Sequence, residues 1–106
     1  MKKWISKLYR SKENLTKEEM REMLNSNNNI ILLDVRSSQE FEEGHLSGAI
    51  NIPTYELYIL APKKLKDKDV IIIAYCTVGV RSKQAINILR KMGYRNLYHL
   101  EGGINY

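Results

Sequence analysis

Cys76 is the one cysteine of this chain, and it sits in Tyr75-Cys76-Thr77-Val78-Gly79-Val80-Arg81-Ser82. An apolar run over residues 70–75 leads into it, and a segment of helical periodicity begins at Ser82. A thiol between a strand end and a helix start lies at the edge where parallel α/β sheets build their sites. Thr77, Val78, Gly79, Val80 and Arg81 then form a tight connection, with Gly79 permitting a turn that a larger residue resists. Such a loop can turn successive backbone N–H groups inward as an anion-binding concavity. The helix N-terminus adds positive partial charge, and Arg81 a full one. All three lower a thiol pKa from its free value of about 8.5, so a nucleophilic thiolate at neutral pH is expected. The plainer alternative is a packed core thiol, since free cysteine is among the most buried residue types. The chemistry of the loop favours the nucleophile.

Two further polar residues belong with Cys76. Asp34 stands near a strand end, and Arg36 follows two residues later on the same face. An ion pair or a hydrogen bond to the catalytic loop is expected of them, in a supporting role, because a buried carboxylate needs a partner. Arg36 facing a donor anion is the second possibility, since guanidinium groups suit oxyanions. His45, in Gly44-His45-Leu46, reads as a structural hydrogen-bonding residue rather than a general base. His99 lies on a strand without distinguishing context, and Glu101 is placed to brace Gly102-Gly103. No metal-ligand spacing is present and no cofactor is expected; one cysteine excludes a disulfide or a cysteine-rich zinc site.

The elements that must hold these residues alternate in type. Thr16-Lys17-Glu18-Glu19 is a capping box that opens a helix with the apolar stripe Met20, Met23 and Leu24, closed by the Asn/Ser run at 25–29. Residues 30–35 are a continuous apolar run with one acid, as in a strand buried on both faces. Ser37 or Ser38 caps a short helix that stops at Gly44, and residues 49–53 make a short strand ended by Pro53. Residues 55–60 are expected to be helical with Pro62 closing them. Residues 70–75 give the clearest strand signal. Residues 82–92 give the clearest helix, with Ala85, Ile86, Leu89 and Met92 on one face and Gly93 at its left-handed C′ position. Residues 96–100 form the last strand. Strands alternating with helices predict an α/β domain with a parallel sheet.

A chain of 106 residues, 43% hydrophobic and 27% charged, suits one small folded domain. The net charge of +5 is concentrated in Lys2, Lys3, Lys7, Arg10 and Lys12, all ahead of the first acid, Glu13. A basic arm over residues 1–13 and a domain over 14–106 are therefore expected. The remainder is formally neutral, which argues against a nucleic-acid-binding face. Trp4, Ile5, Leu8 and Tyr9 interleave with those charges and are read as packing against the domain, with docking to a membrane surface or partner the alternative. Polar residues interrupt the start where a secretion signal needs an apolar stretch, and no apolar run approaches the roughly 20 residues of a membrane span. A single cysteine suits a reducing, cytoplasmic location.

The ordered set Leu33-Asp34-Val35-Arg36, then residues 40–53 (EFEEGHLSGAINIP), then the loop from Tyr75 to Ser82, then Leu100-Glu101-Gly102-Gly103-Ile104, resembles the rhodanese family of single-domain sulfurtransferases. The resemblance implies a five-stranded parallel sheet flanked by helices on both faces. It also implies a Cys76 persulfide, loaded from thiosulfate or a persulfide donor and discharged to a thiophilic acceptor. Val78 and Val80 make this loop more apolar than is usual for the family, which points towards a bulkier or protein-bound persulfide donor. Two competing readings follow from the same residues. Fold-related dual-specificity phosphatases use C-x5-R around a phosphate, one residue longer than the C-x4-R from Cys76 to Arg81. A non-catalytic rhodanese-like module that binds partners is the other; such modules often lack the cysteine.

Overall fold

Strand β4, Ile71–Tyr75, is apolar throughout because both of its faces are covered. Ile72 and Ala74, followed by Cys76, enter one hydrophobic cluster, while Ile73 and Tyr75 enter another on the opposite face. The computed structural model that shows this describes residues 13–27 and 29–104. The basic arm, apart from Glu13, lies outside the described residues.

The elements run β1 (Asn14–Leu15), α1 (Lys17–Ser26), β2 (Ile30–Asp34), α2 (Ser38–Glu43), β3 (Ile50–Asn51), a 3-10 turn (Thr54–Glu56), α3 (Leu57–Lys64), β4, α4 (Val80–Lys91) and β5 (Asn96–Leu100). The five strands form one sheet in the order β1-β5-β4-β2-β3, and every pairing is parallel. Leu57 and Ala61 of α3, with Ala85, Ile86 and Leu89 of α4, pack on the face that carries Cys76. Met20 and Met23 of α1 cover the other face. Both expected caps form: Thr16 with Glu19 opens α1, and Ser37 with Glu40 opens α2.

The register decides what surrounds the site. Asn14 lies opposite His99, and His99 opposite Ala74. Neighbours across a parallel sheet share a face, and so do residues two apart along a strand. Asn14, His99 and Cys76 are thereby brought to one face. Asp34 pairs with Tyr75 and takes the other.

Four boundaries differ from expectation. The first is the two-residue β1, which has too little periodicity to be read. The second is β3, which pairs over Ile50–Asn51 only. The third is the segment expected to be helical over 55–60, which is a 3-10 turn followed by α3, with Pro62 inside the helix. Pro62 removes the bond to the Tyr58 carbonyl, but Tyr58 is exposed. Farther on, the Tyr94 hydroxyl donates to the carbonyls of Ala61 and Leu65 at 3.1 and 2.6 Å, holding the helix end. The fourth is α4, which starts at Val80 rather than Ser82. Val80 and Arg81 are therefore first-turn helix residues, and the connection is only Thr77-Val78-Gly79.

Candidate active site

Cys76 follows β4 directly, and its side chain sits below the first turn of α4. Gly79 takes φ +102°, in the left-handed region, and ends the connection. The turn brings free helix N-terminal N–H groups onto the sulfur. Gly79 N–H donates to Cys76 Sγ at 3.1 Å and Ser82 N–H at 3.4 Å. The Ser82 hydroxyl lies 3.7 Å from the same atom. Burial pushes the thiol pKa up. The N–H and hydroxyl of Ser82, then the N–H groups of Gly79 and Val78, outweigh it, and the net shift is downward. Fixed dipoles of the loop and helix start favour the anion here, and the charge of Cys76 in turn helps raise the Arg81 pKa.

Behind Ser82 the polar contacts continue inward. Ser82 Oγ is 2.9 Å from His99 Nδ1, and His99 Nε2 is 2.9 Å from Asn14 Oδ1. Ser82 and His99 are buried. Burial lowers the His99 pKa, the charge of Lys83 lowers it further, and Glu101 opposes them. The net shift favours the neutral imidazole.

The outer side of the loop is held by charge. Arg81 Nη1 and Nη2 donate to Glu40 Oε1 and Oε2 at 2.7 and 3.1 Å, and Nη2 also reaches Thr77 Oγ1 at 3.2 Å. Arg81 holds the Glu40 carboxyl down to about 2, with the Ser37 N–H helping. Glu40 thus caps α2 and clamps the loop with one carboxylate.

The rhodanese-like domain family profile matches residues 16–106. This chain belongs to that family. It is similar to a protein of Photorhabdus laumondii named tRNA uridine(34) hydroxylase, 35% identical over 96 residues, 87% of this chain and 27% of that protein. The chain thus spans about a quarter of the length of such curated relatives. Among solved structures it resembles a human single-domain sulfurtransferase, TSTD1, with a TM-score of 0.78 and 26% identity, covering 87% of this chain and 91% of that one. The rhodanese-like domain of an Anabaena sp. protein matches with a TM-score of 0.79 and 27% identity, over 87% of this chain and 70% of that one. The chain therefore has the rhodanese fold, and proteins similar to it are named as enzymes.

In this rhodanese-like domain the Gly102-Gly103 turn closes the loop from the third side. Ile104 N–H donates to the Cys76 carbonyl at 3.1 Å. A Cβ on Gly103 would fall 2.1 Å from the Thr77 carbonyl oxygen, so only glycine lets the turn come this close. Beside the loop opens a depression of about 470 Å³ that includes Val78, Val80, Lys83, Gln84 and His99 among its lining.

The residues read from sequence are distributed unevenly around this centre. Cys76, Thr77, Val78, Gly79, Val80 and Arg81 are together, and Arg81 pairs with Glu40 while still interacting with the charge of Cys76. Asp34 and Arg36 form the expected ion pair, with Arg36 Nε 3.0 Å from Asp34 Oδ1 and Nη2 2.8 Å from Oδ2. Its remaining hydrogen bond runs to the Gly44 carbonyl at 2.6 Å, and its guanidinium lies over the Tyr75 ring. The pair braces residues 44–46, where Tyr75 Oη also accepts from Leu46 N–H, not the loop that follows Cys76. The reason is the register, which puts Asp34 on the face opposite Cys76. His45 Nδ1–H donates to the Phe41 carbonyl, 2.7 Å away, and its ring stacks on the Phe41 ring. Ser82, His99, Asn14 and Glu40 are the residues that sequence reasoning passed over. Of these, Ser82, six residues after the cysteine on a helix start, and Glu40, three residues after the cap Ser37, carry a local signal.

Proposed function

We propose that this domain is a sulfurtransferase in which the Cys76 thiolate takes a sulfane sulfur as a persulfide and hands it to a thiophilic acceptor. The observation that carries the reading is the convergence of N–H and hydroxyl groups on one sulfur atom. Thiolate attack on the outer sulfur of a donor forms a new S–S bond, and the leaving group departs with the electrons of the old one. The same N–H groups then face the anionic persulfide. No metal or cofactor is needed for these steps. Donor choice follows from the rim. Val78 and Val80 are 57% and 62% exposed, and Arg81 is neutralised by Glu40. A low-molecular-weight or protein-bound persulfide suits that rim better than the thiosulfate dianion. The C-x4-R loop leaves a small cradle suited to a sulfur atom, which sets a phosphatase behind this reading; the intact cysteine does the same for a non-catalytic module. A single cysteine and bacterial relatives named for a tRNA activity support a cytoplasmic setting.

The test is mass spectrometry of the protein after exposure to thiosulfate and, separately, to a thiol persulfide. A one-sulfur adduct on Cys76, lost in Cys76→Ser and stronger with the persulfide, is expected. No adduct with either donor would leave the binding module as the better account.

The name of the curated relatives favours a second reading, in which the domain serves the modification of uridine 34 in tRNA. It would bring nucleic acid in as a partner despite the charge balance of residues 14–106. Nucleoside analysis of tRNA from cells with and without the chain separates the two: loss of hydroxylated uridine supports the second reading, and an unchanged nucleoside profile supports sulfur transfer alone.

A further inference from the structure

His99 is a buried titratable group that the sulfur chemistry above does not use, and it is tied to the nucleophile through one hydroxyl. Asn14 presents Oδ1 to Nε2 at 2.9 Å, so the neutral ring carries its proton on Nε2 and leaves Nδ1 as an acceptor. Ser82 Oγ sits 2.9 Å from Nδ1, closer than its other acceptor, the Gly79 carbonyl at 3.2 Å. Cys76 Sγ is placed to donate to the same Oγ at 3.7 Å. Every donor in the chain Cys76, Ser82, His99, Asn14 then points the same way.

We propose that this chain is a proton relay in which His99, acting through Ser82 and held in one tautomer by Asn14, takes the Cys76 proton when the thiolate forms and returns it when sulfur has been discharged. As the S–H proton passes to Ser82 Oγ, the hydroxyl proton passes to His99 Nδ1. The products are a thiolate and an imidazolium that donates to Ser82 from Nδ1 and to Asn14 from Nε2. When an acceptor nucleophile takes the outer sulfur of the persulfide, the Sγ–S bond breaks and its electrons return to Sγ. The proton then comes back by the same two hops. His99 and Asn14 are positioning residues here. The charged groups that act on the imidazole are Lys83, which disfavours the imidazolium, and Glu101, which favours it. Cys76 and His99 therefore titrate as a coupled pair.

The relay rests on the thiolate reading of Cys76, but its test does not require sulfur transfer. The measurement is the rate of Cys76 alkylation by iodoacetamide as a function of pH in the whole chain, with a thermal melt of each variant. His99→Phe is expected to slow alkylation at neutral pH by about tenfold, below the roughly 100-fold or more of a base in direct contact. Its profile should reduce to one ionisation. Asn14→Asp places a carboxylate at Nε2, strengthens the base, and should move the profile in the opposite direction, towards lower pH. A merely structural role for His99 gives no such opposed shift. Profiles of His99→Phe and Asn14→Asp that superimpose on the parent would overturn the relay. Should His99→Phe fail to fold, Asn14→Asp alone decides between a shift to lower pH and none. A parent whose Cys76 alkylates like a free thiol would sink the thiolate reading itself, and is recognised before any variant is compared.

Discussion

Two arginine–carboxylate pairs flank the same sheet edge, and they differ in what surrounds them. The Asp34–Arg36 pair has side chains 0% and 9% exposed; the Glu40–Arg81 pair has side chains 34% and 39% exposed. The first lies under Tyr75 and satisfies a buried carboxylate on the face away from Cys76. The second spans from α2 to α4 across the outside of the loop that follows Cys76. Identical chemistry thus gives one pair whose integrity the fold depends on and one that tunes the posture of a loop. The difference lies in solvent: a buried ion cannot fall back on water when its partner is removed, whereas an exposed one can.

The largest expected effect comes from breaking the buried pair. Arg36→Ala leaves Asp34 buried and unpaired and should destabilise the domain by about 3–5 kcal/mol in urea melts. If the cost is below about 1 kcal/mol, the contrast between the two pairs fails. Gly103→Ala comes next, because its Cβ meets the Thr77 carbonyl and its backbone has φ +72°. A loss of about 2–4 kcal/mol is expected from strain and overpacking together, with persulfide loading reduced at the same time.

Breaking the exposed pair should cost much less stability. Glu40→Gln preserves the capping geometry with Ser37 but removes the charge that holds Arg81. A stability change within about 1 kcal/mol is expected, with a fall in Cys76 loading of a few-fold as the outer side of the loop loosens. A loss comparable to that of Arg36→Ala would show that the clamp belongs to the fold rather than to the loop. The smallest effect is in pH. Glu40 has its folded pKa depressed to about 2 from 4.5. Its contribution is fully present above the unfolded value and disappears as the pH falls through the folded one. Stability should therefore show a shallow decline between about pH 4.5 and 2 that is absent in Glu40→Gln.

Much of this domain was legible in local patterns. The capping boxes at Thr16 and Ser37, the buried strands at 30–34 and 71–75, and the apolar face of α4 are all written within a few residues of one another. Local energetics suffice to form them. The place of Cys76 between a strand end and a helix start was legible for the same reason, since strand, turn and helix start are contiguous. The misreadings share a different cause. Pro62 was read as a stop because Tyr94, which holds the helix beyond it, comes 32 positions later. The second charge on Arg81, that of Glu40, does not show in the local sequence because Glu40 lies 41 positions earlier.

The sequence by itself determined the types and order of most elements and singled out Cys76 at a strand end before a helix, because these depend on periodicity and neighbouring residues. Only the tertiary structure decided what works beside that sulfur. The strand order β1-β5-β4 put Asn14 and His99 behind Ser82, and the pairing of Asp34 with Tyr75 turned Asp34 and Arg36 away. Parity across a parallel sheet allots side chains to faces, and a register set by contacts distant in sequence determines which residues share the face of Cys76.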